Sequence, residues 1–321
     1  MPQIVQSELP AQPSVRRQRP TASSLHTCEN KSRMKRLVLA ALAAILFAPQ
    51  LARAQAADIP SAAPPTPPGQ TSEQRGRALL DEMIAALGGD AWLNRTTMLA
   101  EGRGTSFFHG EPNPYVSEYH EAVRYARPNA TPPVTFADRV GFLTDRSMIF
   151  PGKKIDVVQI WKDGHGYEIT YKGQTELPKD QVDDYYRRLP HSIEEVVRNW
   201  IHAPGVMIVS EGTGMVERRL VDKVTILTAS NDAVTLELDA ATHLPLRRTF
   251  QWRNPQFKDF DEEQENYDDY HTFQGLPTPM TVTRYHNGDI TNQRYLTKVT
   301  YNLAADPSLF DPAVVVPKLK K

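Results

Sequence analysis

After Trp92 the chain breaks into short segments rich in β-branched and aromatic residues, each closed off by Gly, Pro, Asn or Asp. Turns this close together, with no helical pattern between them, imply an antiparallel meander. Strands are expected near 96–108, 115–126, 134–142, 144–150, 155–162 and 165–171, with Asp163-Gly164 as a hairpin turn. A second series is expected near 206–210, 214–220, 222–229, 233–239, 244–253, 263–273, 279–286 and 290–302. Ser230-Asn231-Asp232, residues 239–242, Gly275-Leu276-Pro277 and Asn287-Gly288 supply its turns.

Two helical stretches frame this pattern. Ahead of it, Thr71 or Ser72 offers an N-cap, Ala78, Leu79, Met83, Ile84 and Leu87 recur at helical spacing, and Gly88-Gly89 end the run. Midway, 178–188 and 192–202 have helical composition, with Pro190 as the break and Ser192 as the second cap. The expected fold class is mainly β (α+β): a strongly curved antiparallel sheet or incomplete β-barrel, with an N-terminal helix and an inserted helix pair as lid.

Strand alternation indicates what the sheet encloses. Leu244, Leu246, Phe250 and Trp252 fall on one face, with Arg247, Thr249 and Gln251 on the other, and Val234, Leu236 and Leu238 repeat the pattern one strand earlier. On the second inserted helix Val196, Val197 and Trp200 form an apolar stripe that must bury against something. The candidate ligand-binding residues are therefore Leu236, Leu238, Leu246, Phe250, Trp252, Val196, Val197 and Trp200. A curved sheet under helices accommodates either a filled core or a ligand cavity, and alternation alone does not separate the two.

The N-terminal region reads differently. Lys35-Arg36, the apolar run 37–48, and the small-residue sites Ala52-Arg53-Ala54 and Ala54-Gln55-Ala56 have the order of a secretory signal peptide. The run is shorter than the roughly 20 apolar residues a membrane span needs. Expected boundaries are an extension over 1–33 that is disordered or not native, a signal peptide over 34–56 starting at Met34, and a Pro-rich linker over 57–71. A β-domain over 72–316 and a basic tail over 317–321 follow. Removing residues 1–56 takes away eight basic and two acidic side chains, leaving 29 Lys and Arg against 36 Asp and Glu, a net charge of −7. An acidic, exported domain disfavours nucleic acid and anionic membrane surfaces as partners. Cys28, the single cysteine, precedes the apolar run, so the processed chain has neither a disulfide nor a cysteine-ligated metal.

Chemical motifs are sparse. G-x-S-x-G, H-E-x-x-H, Walker A and EF-hand patterns are all absent, so no catalytic residue, cofactor or metal ligand is expected. The acidic stretch 259–271, DFDEEQENYDDYH, places Asp259, Asp261, Glu263 and Glu265 on one side of an extended chain; it reads as the solvated face of an exposed strand rather than as an ion site. The scattered histidines His165, His191, His202, His243, His271 and His286 read as surface or capping residues.

The ordering then resembles a known group. A helix ending in AALGG at 85–89, LDAATHLPLRRTFQW at 238–252, YDDYHTFQGLPTPMTVTRYHNG at 267–288 and YNLAADPSLFDP at 301–312 look like the periplasmic outer-membrane lipoprotein-sorting superfamily, the LolA/LolB-like fold. The resemblance spans about 72–312 and its motifs specify strand order rather than chemistry. It implies a non-enzymatic, monomeric periplasmic carrier whose concave face accepts the acyl chain of a lipid or lipoprotein. The carriers' lid-contacting Arg has no single counterpart here; Arg103 and Arg124 are its candidates. The alternatives are an envelope sensor or scaffold with a filled core that binds a protein partner, and a secreted glycan hydrolase with unidentified carboxylates.

Overall fold

Thr71 starts the first helix, α1 (Ser72–Leu87), through a capping box: its hydroxyl accepts from the Gln74 amide and the Gln74 side chain returns to the Thr71 amide. Gly88, at φ 119°, ends the helix in a left-handed turn. The buried face of α1 carries Leu79, Leu80, Met83 and Leu87. A short helix, α2 (Asp90–Leu93), follows and buries Trp92. The computed structural model describes residues 69–144, 154–314 and 316. The extension, the signal peptide, the linker up to residue 68, most of the strand expected at 144–150 and the basic tail lie outside the described residues.

Among the described residues, fourteen strands form one antiparallel, curved and unclosed sheet. The first series is β1 (Thr97–Phe108), β2 (Glu111–Pro112), β3 (Ser117–Arg124), β4 (Ala137–Thr144), β5 (Lys154–Lys162), β6 (His165–Thr170) and β7 (Gly173–Glu176). The second is β8 (Met207–Val216), β9 (Arg219–Leu227), β10 (Ala233–Asp239), β11 (Pro245–Arg253), β12 (Phe260–Phe273), β13 (Leu276–His286) and β14 (Asp289–Tyr301). Their order is β7-β6-β5-β4-β3-β1-β14-β13-β12-β11-β10-β9-β8, with β2 pairing beside β1. The strands expected separately at 206–210 and 214–220 are the single strand β8 and its turn into β9: Gly212, at φ 87°, absorbs a bulge, and the turn falls at Glu217-Arg218.

This order explains the lid. Two meanders are joined at the centre by β1 and β14, so β7 and β8, consecutive in sequence, lie at opposite edges of the sheet. Their connection has to cross a face of it. That crossing consists of α3 (Lys179–Arg188), a 3₁₀ turn at Leu189–His191, α4 (Ile193–Arg198) and a second 3₁₀ turn at Trp200–His202. Ser192 caps α4 by accepting from the Glu195 amide.

The crossing and α1 fill one half of the concave face. Leu79, Leu80 and Met83 of α1, with Ile193, Val196 and Val197 of α4, pack on Ile208, Val224, Ile226, Val234, Leu236, Leu238 and Phe250 of β8–β11. Gly76 permits the close approach, since a Cβ there would lie 3.0 Å from the Ile208 carbonyl oxygen and the Ser210 nitrogen of β8. The helix thereby covers a sheet edge that would otherwise be open. No helix among the described residues is long and apolar enough to cross a membrane.

Candidate functional site

The other half of the concave face is charged. β12 runs between β11 and β13, and its alternation turns Glu263 and Glu265 inward, burying Glu263 to 3% exposure. The acidic stretch is therefore not the solvated face of an exposed strand. Strand register supplies its partners: Arg248 on β11 and Arg284 on β13 both pair opposite Glu265. Arg248, 1% exposed, places its guanidinium 3.1 Å from Glu263 and 3.2 Å from Glu265, and donates to the His191 carbonyl at 3.0 Å. Arg284 donates to Glu265 at 2.9 Å, and the Tyr267 hydroxyl donates to the same carboxylate at 2.9 Å.

The electrostatics follow from this geometry. Burial alone would push the Glu265 carboxyl up, but the Arg248 and Arg284 guanidinia outweigh it and hold Glu265 well below the usual carboxylate range. Glu263 shows the opposite balance, its carboxyl raised by burial. Truncating one member of such a set leaves an uncompensated buried charge, at a cost of about 3–5 kcal/mol.

The belt continues across β1. Arg294 of β14 reaches Glu121 of β3 at 3.6 Å, passing the strand between them beside Gly102 and Gly104. Any Cβ at Gly102 would fall 2.7 Å from the Tyr119 hydroxyl oxygen. On β4, Asp138 is 8% exposed and accepts from the Tyr185 hydroxyl of α3 at 2.9 Å. Burial, and then the neighbouring Glu121, push the Asp138 carboxyl up to about 7; the Tyr185 hydroxyl, Arg294 and the Arg139 amide offset this only in part. Tyr185 also stacks on Trp161 of β5, with ring centroids 4.6 Å apart.

Between this belt and the helices lies a cavity of about 610 Å³. Its apolar wall includes Leu87, Trp92, Met98, Val123, Val282 and Leu296. Its polar wall includes Glu121, Asp138, Arg248, Glu265, Arg284 and Arg294, and Tyr185, Leu189, Ile193 and Arg198 contribute from the crossing helices. Volumes of about 300–1,000 Å³ lined by apolar groups and a few placed polar ones are those of small-ligand sites.

None of the eight residues picked out by alternation is among those lining this cavity. Leu236, Leu238, Phe250, Val196 and Val197 lie together in the packed core, and Trp200 and Trp252 sit half-buried against it. Leu246 belongs to a separate cluster with Val216 and Val221. The register steps from Glu237↔Arg247 to Leu238↔Pro245, so Leu246 is the extra residue of a bulge and leaves the face it was assigned to. Arg103 pairs with Glu118 and Arg124 bonds the Thr135 carbonyl; Arg248 is the guanidinium that bonds the crossing segment from the sheet. Of the histidines read as surface or capping, His191 is a buried cap: it lies between Phe250 and Trp200, its Nδ1 is 2.6 Å from the Arg187 carbonyl at the end of α3, and its Nε2 is bonded to Asp232.

Solved structures with a similar fold include a DUF1329 family protein from Desulfovibrio piger, at a TM-score of 0.50 and 10% identity, covering 75% of this chain and 98% of that one. A putative outer membrane lipoprotein-sorting protein domain from Vibrio parahaemolyticus (TM-score 0.49, 10% identity, 74% and 97% covered) is a looser match. So is a LolA superfamily protein from Nitrosomonas europaea (TM-score 0.43, 8% identity, 73% and 95% covered). No family model matches the chain, and no curated protein matches it. The likeness to the DUF1329 family protein is, at that identity, one of fold alone.

Proposed function

We propose that the chain is an exported, non-enzymatic periplasmic carrier that holds one acyl-bearing ligand, a lipid or the acyl chain of a lipoprotein, in the cavity beneath the crossing helices. The observation that carries this reading is the cavity itself, of about 610 Å³, whose lining sets apolar residues beside charged ones: Val123 with Glu121, Val282 with Arg284 and Leu296 with Arg294. Such a lining suits an amphiphile: each CH₂ taken from water contributes about 0.8 kcal/mol. The acyl chain lies along Met98, Val123, Val282 and Leu296 in this reading, not on the packed residues of β10 and β11. Release then requires the crossing helices to shift, because they form the roof.

Native mass spectrometry of the full chain isolated from its own cell envelope is expected to show bound lipid. The purified protein is expected to take up a fluorescent fatty acid, and Leu296→Trp, which fills the apolar wall, to lower that uptake at least tenfold. A protein that is free of lipid and also takes up no fatty acid would overturn the reading. That outcome would favour an envelope scaffold with a protein partner, the reading supported by the packed half of the face.

A further inference from the structure

Asp138 is the odd charge in the belt. Arg248, Arg284 and Arg294 are matched by Glu263, Glu265 and Glu121, each within 4 Å of at least one of them. Asp138 makes no ion pair among the described residues. It lines the cavity, is more than nine-tenths buried, and accepts from the Tyr185 hydroxyl at Oδ2; the enclosed Oδ1 has no hydrogen-bond partner. A buried carboxylate without a cation is costly unless it takes up a proton or meets a positive group.

We infer that Asp138 anchors a headgroup subsite, and that the amphiphile held in the cavity carries a protonated amine that docks on the Asp138 carboxylate with Glu121 beside it. This inference rests on the carrier reading above and specifies its ligand class. An ammonium supplies three donors and one positive charge, which gives the Asp138 carboxylate a cation and balances the belt. The cavity also presents competing donors: Arg198 has unpartnered Nε and Nη2 atoms and faces Glu194 and Glu195, and Arg248 has an unpartnered Nε beside its two glutamate partners. An anionic headgroup would choose those donors instead.

Three probes of one chain length separate these cases: dodecylamine, dodecanol and dodecanoate, titrated calorimetrically below their micellar concentrations into the full chain at pH 8. Dodecylamine is expected to bind about tenfold tighter than dodecanol, the scale of one hydrogen bond to a charged group, with dodecanoate weakest. Asp138→Asn keeps an acceptor for Tyr185 and is expected to bring dodecylamine down to the level of dodecanol. The amine needs ionised Asp138, so its affinity is expected to rise from pH 6 to pH 8. The groups facing Asp138 are Glu121 and Tyr119 of β3, Arg294 of β14 and Tyr185 of α3.

Equal binding of dodecylamine and dodecanol, or tightest binding of dodecanoate, would overturn the inference and leave the carrier reading standing. So would an amine preference that survives Asp138→Asn. Failure of all three probes would overturn the carrier reading and this inference with it.

Discussion

The two halves of the concave face share one sheet and lie under one crossing segment, yet one is packed shut and the other encloses a cavity. The difference lies in what each half presents and what covers it. Over β8–β11, inward positions are Ile, Val, Leu and Phe, and α4 meets them with Ile193, Val196 and Val197. Over β12, β13, β14, β3 and β4, inward positions include Glu263, Glu265, Arg284, Arg294, Glu121 and Asp138. The helix that faces them, α3, buries none of its residues fully. Apolar side chains interdigitate to close a gap, whereas paired charges must keep their own geometry and resist being covered by an apolar roof. The cavity therefore occurs where the sheet is polar, the reverse of what an apolar stripe suggests.

Arg248 stands at the border of the two halves, with its guanidinium in the charged belt and over the Phe250 ring of the packed one. Arg248→Ala is expected to have the largest effect, a loss of about 3–5 kcal/mol in chemical denaturation, because Glu263 loses its direct partner and the His191 carbonyl its donor. A loss below about 1 kcal/mol would show that the belt is not a buried network.

Next in size is Leu236→Ala in the packed half, expected to cost about 2–5 kcal/mol through lost burial and a cavity. Uptake of a fluorescent fatty acid by the folded variant is expected to stay at the parent level, since Leu236 is not among the residues lining the cavity. A specific loss of uptake would place the ligand on the packed half and break the contrast.

What the sequence made legible was local. Asp163-Gly164 and Asn287-Gly288 form the turns their residue types demand, each with both residues at positive φ, and the helix at 72–87 starts and stops at its caps. The site was not local. Arg248, Glu265 and Arg284 meet because three strands share one register, and Arg294 reaches Glu121 only across β1, where Gly102 makes room for the Tyr119 ring. Alternation did place Glu263 and Glu265 on one side; without the register of β11 and β13 that side read as solvent. Leu246 was misassigned for a related reason, as one bulge reverses the side on which a residue falls.

Asp138→Asn tests the charged half by pH. The Asp138 carboxyl is pushed up to about 7 by burial and by Glu121, so between pH 4 and pH 7 the folded chain holds a proton that the unfolded chain has released. Stability contributed at this site is present at low pH and falls as pH rises through that window. The Asn variant escapes this loss. It is expected to match the parent near pH 4 and to exceed it at pH 8 by on the order of 2 kcal/mol in denaturation at the two pH values. A constant difference across pH would mean that Asp138 is ionised throughout.

Tyr185→Phe is expected to have the smallest effect. Tyr185 ties α3 to the sheet in two ways, by stacking on Trp161 and by donating to Asp138. Phenylalanine keeps the stack and removes only the hydrogen bond, so a loss of about 1 kcal/mol is expected. Its direction with pH is also set: the Tyr185 hydroxyl favours the ionised form of Asp138, so without it the carboxyl moves further up and the fall in stability extends to higher pH. A loss near 3 kcal/mol would mean that the hydroxyl, not the stack, holds this end of the crossing segment. The roof over the charged half would then open with one bond, while the roof over the packed half opens only with the core.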